Sequence, residues 1–241
     1  MHRTPNKKEL EAILGFVGHD LRGGFMPIKE FLWDEKYHGN RADAQQGYDH
    51  ISQVTSAIIS LRSGTRYRHF EQVNLRQGLD LIADRHEKRC RRRNLRIERA
   101  YGEVTAMTAD AVAYLLVENI VKNGLDAQAG NTELTLTLEA NLHRLDGSEV
   151  PLVGVQYPIG YHMQQITVTD GGCGIGPETM QRMFDIGFTT KPHHEGVGLG
   201  IVPYILEYLC GFVRVQSEVG KGTKFSVYLP AEHPIIPKDQ R

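Results

Sequence analysis

The residues best equipped for chemistry lie between Ile166 and Gly200, in the stretch ITVTDGGCGIGPETMQRMFDIGFTTKPHHEGVGLG. An apolar, β-branched run ends on the carboxylate of Asp170, and Gly171, Gly172 and Gly174 follow at once, with Ile175 after them. A second cluster, Gly196, Gly198 and Gly200, surrounds Leu199 and opens an apolar helical pattern. Glycine serves where backbone takes a positive φ or comes into contact with a ligand, and a helix start presents unpaired N–H groups to phosphate. Two such turns around one short segment read as a nucleotide site. Neither cluster keeps the G-x-G-x-x-G spacing running into a helix that a Rossmann turn requires. Gly220-Lys221-Gly222-Thr223 lacks the upstream glycine of a Walker loop and reads as a hairpin turn.

Two further constellations accompany the glycines. Asn119 and Asn123 stand four apart in the helical run 109–129, which puts both amides on one face. Far upstream, His19 is followed by Asp20, off the apolar seam formed by Leu10, Leu14, Val17, Leu21, Gly24, Ile28 and Phe31. A histidine on the solvated side of a packed helix can meet a second domain.

These residues need elements to hold them. The first seam, spaced alternately four and three, predicts a coiled-coil-like helix, and Gly39-Asn40 supply a turn. Gly47, Ile51, Val54, Ile58 and Leu61 continue a second seam to about Arg66, so residues 1–69 are expected to form a helical hairpin. A hairpin with apolar stripes on both arms is completed by a second copy in a four-helix bundle, or by packing on the rest of the chain. Residues 70–241 are expected to form a second domain. It contains a short strand over Val73–Leu75, a helix over Arg76–Cys90, strands over Leu95–Ala100, 132–141 and Gln165–Thr169, a helix over Leu199–Leu209 capped by Gly211, and a hairpin of Phe212–Gln216 with Thr223–Leu229. Between them, residues 142–164 are polar and rich in turn formers, with Val153–Pro158 able to add a strand to a variable loop or partner surface.

Bulk properties exclude several classes. The 241 residues carry 28 Lys plus Arg against 29 Asp plus Glu, so net charge demands neither nucleic acid nor an anionic membrane. The basic run at Arg89, Arg91, Arg92, Arg93 and Arg96 lacks aromatic interleaving and reads as a solvated helix end. Three scattered cysteines share no metal-ligand spacing and build no disulfide framework, which favours a reducing cytoplasm. No membrane span and no signal peptide are expected.

Asp170-Gly171-Gly172-Cys173-Gly174-Ile175 resembles the DxGxGI box of the GHKL ATPases, and Gly196-Val197-Gly198-Leu199-Gly200 resembles their second glycine box. Glu118-Asn119-Ile120-Val121-Lys122-Asn123-Gly124 is similar to the asparagine box, NLxxNA in histidine kinases. Met183 to Lys191 resembles the kinase F box with its following GFTTK, and Gly18-His19-Asp20-Leu21-Arg22 resembles the H box. Four boxes of the ATP-binding part occur in family order. The resemblance implies an α+β chain: an N-terminal helical hairpin forming a dimeric four-helix bundle, followed by a GHKL, Bergerat-type α/β sandwich that binds ATP.

It also implies roles. Asp170 accepts from the adenine amino group while Gly172 and Gly174 let backbone approach the base. The carbonyl of Asn123, with Asn119 beside it, holds Mg²⁺ against the triphosphate, since that ion takes oxygen ligands. The amides of Gly196, Gly198 and Gly200 meet the phosphates, Lys191 neutralises the γ-phosphate, and Phe184 and Phe188 anchor a lid ahead of Gly196. Ile175, Thr189, Thr190, Leu199 and Thr223 complete the candidate nucleotide set. His19, oriented by Asp20, takes the γ-phosphoryl group and passes it to a response-regulator receiver domain. Only about nine residues precede the first seam, so input is expected from a separate sensor protein, unless the chain is a fragment or an orphan kinase. Gly23 stands where such kinases carry Thr or Asn, which puts phosphatase activity in question, and Gly24 stands where they carry Pro, a position at which glycine still allows a bend. Two alternatives stay open: a non-catalytic phosphotransfer adaptor, and an ATPase in which nucleotide drives conformational change.

Overall fold

The computed structural model describes residues 70–91, 95–102, 104–108, 110–128, 134–191, 196 and 198–232. The hairpin expected over 1–69, with His19 and Asp20, lies outside them. The described chain runs β1 (Glu71–Asn74), α1 (Arg76–Arg91), β2 (Leu95–Tyr101), β3 (Thr105–Thr108), α2 (Asp110–Ala127), β4 (Leu134–Arg144), β5 (Val153–Gly154), β6 (His162–Asp170), α3 (Pro177–Arg182), α4 (Val202–Tyr208), β7 (Phe212–Glu218) and β8 (Gly222–Pro230). Six strands form one sheet in the order β2-β4-β6-β8-β7-β5, with β2 and β4 parallel and every other neighbouring pair antiparallel. The strands β1 and β3 pair separately.

Alternation along the strands decides which face is covered. Leu138, Val168, Phe225 and Val215 lie in one cross-strand row, and Ala140, Ile166, Val227 and Val213 in the next. These residues share a core with Leu79 and Ile82 of α1, Leu116 and Ile120 of α2, and Ile205 and Leu206 of α4. Cutting any one of the large buried side chains back to alanine removes apolar area and leaves a cavity, at about 2–5 kcal/mol. Helices on one face of a mostly antiparallel sheet make an α/β sandwich.

One row further towards the C-terminal end of β6, the same face turns polar. There Leu136 pairs with Asp170, Asp170 with Thr223, and Thr223 with Ser217. Asp170 and Thr223 are both buried, so the sheet carries a carboxylate and a hydroxyl on its core side beneath α2.

Several elements differ from expectation for tertiary reasons. The strand β3 follows β2 closely and exists because β1 pairs with it; its four residues are too few for periodicity to register. Within 142–164, β4 continues to Arg144, β6 begins at His162, and strand pairing of the intervening loop is confined to Val153–Gly154 against β7. This loop covers the opposite face of the sheet. Leu145 and Tyr157 pack with Met163, Phe212 and Tyr228, and the Tyr157 hydroxyl donates to the carbonyl of Cys210 at 2.8 Å. After α4, the left-handed residue is Cys210 (φ 53) rather than Gly211. Gly211 N–H reaches the Leu206 carbonyl at 2.8 Å and Cys210 N–H the Glu207 carbonyl at 3.4 Å, a Schellman ending. Glycine is needed at 211 for space, because a Cβ there would lie 2.6 Å from the Tyr228 carbonyl oxygen.

Candidate functional site

The end of β6 meets α2 and two glycine-bearing turns. Asp170 is only 4% exposed, and its Oδ1 accepts from the Gly172 N–H at 2.9 Å. Burial pushes the Asp170 carboxyl above its ordinary range, opposed by the N–H groups of Gly172 and Thr223. The Thr223 hydroxyl lies 3.0 Å from that of Ser217. Ser217 Oγ donates to the Gly222 carbonyl at 2.9 Å and accepts from the Ile175 N–H at 2.8 Å. With the serine proton committed, the threonine is the donor of the hydroxyl pair. A carboxylate, two hydroxyls and the start of the DGGCGI turn are thereby tied together.

The helix α2 passes directly over this row. Gly124 faces Asp170: a Cβ there would be 3.4 Å from Asp170 Oδ2 and 2.9 Å from a methyl of Leu136. One residue earlier, Asn123 Nδ2 donates to the Asn119 carbonyl at 2.8 Å. Its Oδ1 accepts from Lys191 Nζ at 3.0 Å, and Lys191 Nζ also meets Asp126 Oδ2 at 2.9 Å. Asn119 is 3% exposed, and its Nδ2 has no hydrogen-bond partner. Buried amides are nearly always paired, so this one marks a place for a polar ligand or an ion's hydration shell. The side-chain carbonyls of Asn119 and Asn123 are hard oxygen donors and fit Mg²⁺.

The segment between the glycine boxes is held at its base. Gly187 N–H donates to the Gly196 carbonyl at 3.1 Å, and Gly196 has φ 69, with the space a Cβ would need filled by Phe188 backbone 2.5 Å away. Gly200 is likewise pressed against Ile186. Gly198 alone of the three has ordinary contact distance in its Cβ direction, 3.8 Å from Asn119 Oδ1 and 3.9 Å from Asn123 Nδ2. Leu199 and Phe184 are partly buried against the core, whereas the Phe188 ring lies under the Arg182 guanidinium at 4.4 Å. Thr189 Oγ1 accepts from the Lys191 N–H at 3.0 Å and so sets the turn that aims the lysine, while Thr190 is exposed.

Asp170, Thr223, Asn119, Asn123, Gly198 and Lys191 therefore lie together at this end of the sheet. Gly172, Gly174 and Lys191 are also engaged within the chain itself. Gly172 and Gly174 serve chain-to-chain approach: a Cβ at 172 would sit 2.7 Å from the Ala127 carbonyl, and at 174, where φ is 69, 2.1 Å from the Glu218 carbonyl oxygen. Lys191 holds Asn123 and Asp126. Asp126 and Ser217 are the site residues that sequence reasoning missed. Asp126 lies seven after Asn119 on the same helix face, a spacing that was available; Ser217 becomes visible only through the β7–β8 register.

Beside the site, Glu118 points the other way, to α1. It lies 2.6 Å from Arg85, 3.6 Å from His86 Nε2 and 3.7 Å from Lys122. Burial pushes its carboxyl up, but these cationic and hydrogen-bonding neighbours outweigh it and hold the pKa down to about 2. This residue of the asparagine box is a clamp between helices.

The family described as histidine kinase-, DNA gyrase B- and HSP90-like ATPase matches residues 109–233. The sensor histidine kinase ZraS of Escherichia coli O157:H7 is 41% identical over 247 residues, covering 95% of this chain and 48% of that protein. Sporulation kinase D of Bacillus subtilis is 24% identical over 245 residues, covering 95% of this chain and 44% of its own. The chain thus spans about half the length of these curated relatives. The solved structure of a mycobacterial sensor histidine kinase, MprB, superposes with a TM-score of 0.53 at 20% identity over 67% of this chain and 97% of its own, which shows a shared fold. Among the described residues, no helix is long and apolar enough to cross a membrane. The chain belongs to the histidine kinase-, DNA gyrase B- and HSP90-like ATPase family, and it carries the ATP-binding catalytic core of a histidine kinase.

Proposed function

We propose that this chain is an ATP-dependent protein-histidine kinase in which residues 70–241 bind ATP and residues 1–69 supply the acceptor, His19, and the dimer interface. The observation that carries the reading is the buried Asp170 carboxylate, set in a polar row beneath an asparagine pair whose inner amide lacks a partner. A buried carboxylate of raised pKa is a costly feature that a hydrogen-bond donor such as the adenine amine offsets. Thr223 and the DGGCGI turn frame that end, with Ile175 beside it. Asn123 and Asn119 offer oxygens to Mg²⁺, which when bound shields the charge shared by the β- and γ-phosphates. The backbone at Gly198, which opens toward the asparagine pair, is offered to the phosphates.

In the transfer, the unprotonated ring nitrogen of His19 attacks the γ-phosphorus in line. The bond to the β–γ bridging oxygen breaks, and ADP leaves with that electron pair. The ring is left positive, its remaining N–H directed to Asp20, which orients it and stabilises the charge. The phosphoryl group then passes to an aspartate of a response-regulator receiver domain.

The test is incubation with γ-labelled ATP. Acid-labile, base-stable label on the protein, lost in His19→Gln while ATP binding persists, is expected. Release of free phosphate with no protein label overturns the kinase reading in favour of a conformational ATPase. Absence of both label and hydrolysis leaves an adaptor.

A further inference from the structure

The ammonium of Lys191 lies where it satisfies two groups of α2 at once, the carbonyl oxygen of Asn123 at 3.0 Å and the carboxylate of Asp126 at 2.9 Å. These partners are 68 and 65 residues away in sequence, so the contact joins the segment at the foot of the lid to the asparagine helix. The lysine's backbone is fixed independently, by its N–H to Thr189 Oγ1 at 3.0 Å. Both charged side chains are partly buried, Lys191 32% and Asp126 23% exposed, so the pair is stronger than an open surface pair yet able to part.

We propose that Asp126 is a positioning residue that docks Lys191 on Asn123, and that the docked ammonium competes with the divalent cation for the Asn123 carbonyl. This rests on the nucleotide reading above. The chemistry is one of exclusion. An amide oxygen can face an ammonium or a divalent cation, but both at contact distance from it would repel strongly in a partly desolvated cleft. The Asn123 amide cannot escape by rotating, because its Nδ2 is committed to the Asn119 carbonyl. Arrival of cation with nucleotide therefore releases Lys191 from Asn123. A lysine anchored through Thr189 at the foot of the lid is then available to the phosphates. Asp126 sets how tightly the lysine is held, and hence how much cation is needed.

The experiment measures binding of fluorescent ADP against Mg²⁺ concentration for the wild type, Lys191→Met and Asp126→Asn. ADP is chosen because it has no γ-phosphate whose contact with the lysine would be lost. Both variants are expected to reach half-saturation at less Mg²⁺, by about two- to fivefold, in line with the modest strength of partly exposed ion pairs. A higher Mg²⁺ requirement in Asp126→Asn would make Asp126 a cation ligand and overturn the proposal. A second readout is acetylation of Lys191 followed by mass spectrometry. It is expected to quicken in wild type when Mg²⁺ and ADP are added together, and in Asp126→Asn without either; an unchanged rate in both cases overturns the dock. Wild-type ADP binding with an unaltered Mg²⁺ requirement in both variants also overturns the dock while leaving the kinase reading standing. Failure of the wild type to bind ADP at all removes both.

Discussion

Asn123 donates its side-chain Nδ2 to the backbone carbonyl of Asn119, one helical turn earlier, at 2.8 Å. This bond settles which way the amide points. With nitrogen turned to a carbonyl, the oxygen faces the cleft and takes the Lys191 ammonium; the flipped amide would oppose acceptor to acceptor and donor to donor. Asn123→Asp keeps the shape but replaces that donor by an acceptor. The fold is expected to lose about 1–3 kcal/mol, the cost of an unpaired, partly buried polar group, seen as a lower midpoint in urea unfolding. Unchanged stability would mean that the amide is not oriented by Asn119.

Asp170 gives a pH-dependent prediction. Its carboxyl is pushed above the ordinary 3.8 by burial, and only the ionised form accepts from an amine through both oxygens. Nucleotide affinity is expected to be full at neutral pH and to fall on acidification sooner than an ordinary aspartate would dictate. Asp170→Asn is expected to bind weakly at neutral pH and to lose this acid limb. Calorimetric titration of the nucleotide across the acidic range checks it, and an identical pH profile in the two proteins would count against the adenine assignment.

Gly174 and Gly220 form a controlled pair. Both have positive φ, 69 and 82, but a Cβ at 174 meets the Glu218 carbonyl oxygen at 2.1 Å whereas one at 220 meets nothing within 4 Å. Gly220→Ala is expected to cost about 1 kcal/mol from left-handed backbone alone. Gly174→Ala adds displacement of a neighbouring backbone and is expected to cost at least twice as much, with loss of nucleotide binding as the turn shifts. Thermal unfolding of the two variants compares them directly, and equal midpoints would show that the turn yields freely.

The clamp at Glu118 predicts acid sensitivity. Its pKa is about 2 in the folded protein against 4.5 ordinarily, so it contributes stability above pH 4.5 that is lost as pH falls through about 2. The contribution is at most about 3 kcal/mol. Glu118→Gln is expected to lower stability at neutral pH and to flatten the acid decline, read from urea midpoints across that window. A decline as steep as the wild type's would assign it to other carboxylates.

What the sequence by itself determined was local. Helical periodicity put Asn119 and Asn123 on one face, β alternation ended a strand on Asp170, and glycine spacing marked the turns, because each property depends on residues a few positions apart. Even Gly211 announced the end of α4, although the left-handed φ of 53 belongs to its neighbour Cys210 and the glycine answers to the Tyr228 carbonyl beside it. Tertiary structure decided what those groups face. The polar row of Asp170, Thr223 and Ser217 arises from the register of three strands, and a slip of one residue would turn all three side chains to the other face of the sheet. The Lys191 contact with Asp126 spans 65 residues and depends on how the Thr189–Lys191 turn packs on α2. Gly172 reads as an approach to ligand in sequence and becomes an approach to Ala127 in the fold, because a missing Cβ shows that something comes close without showing what.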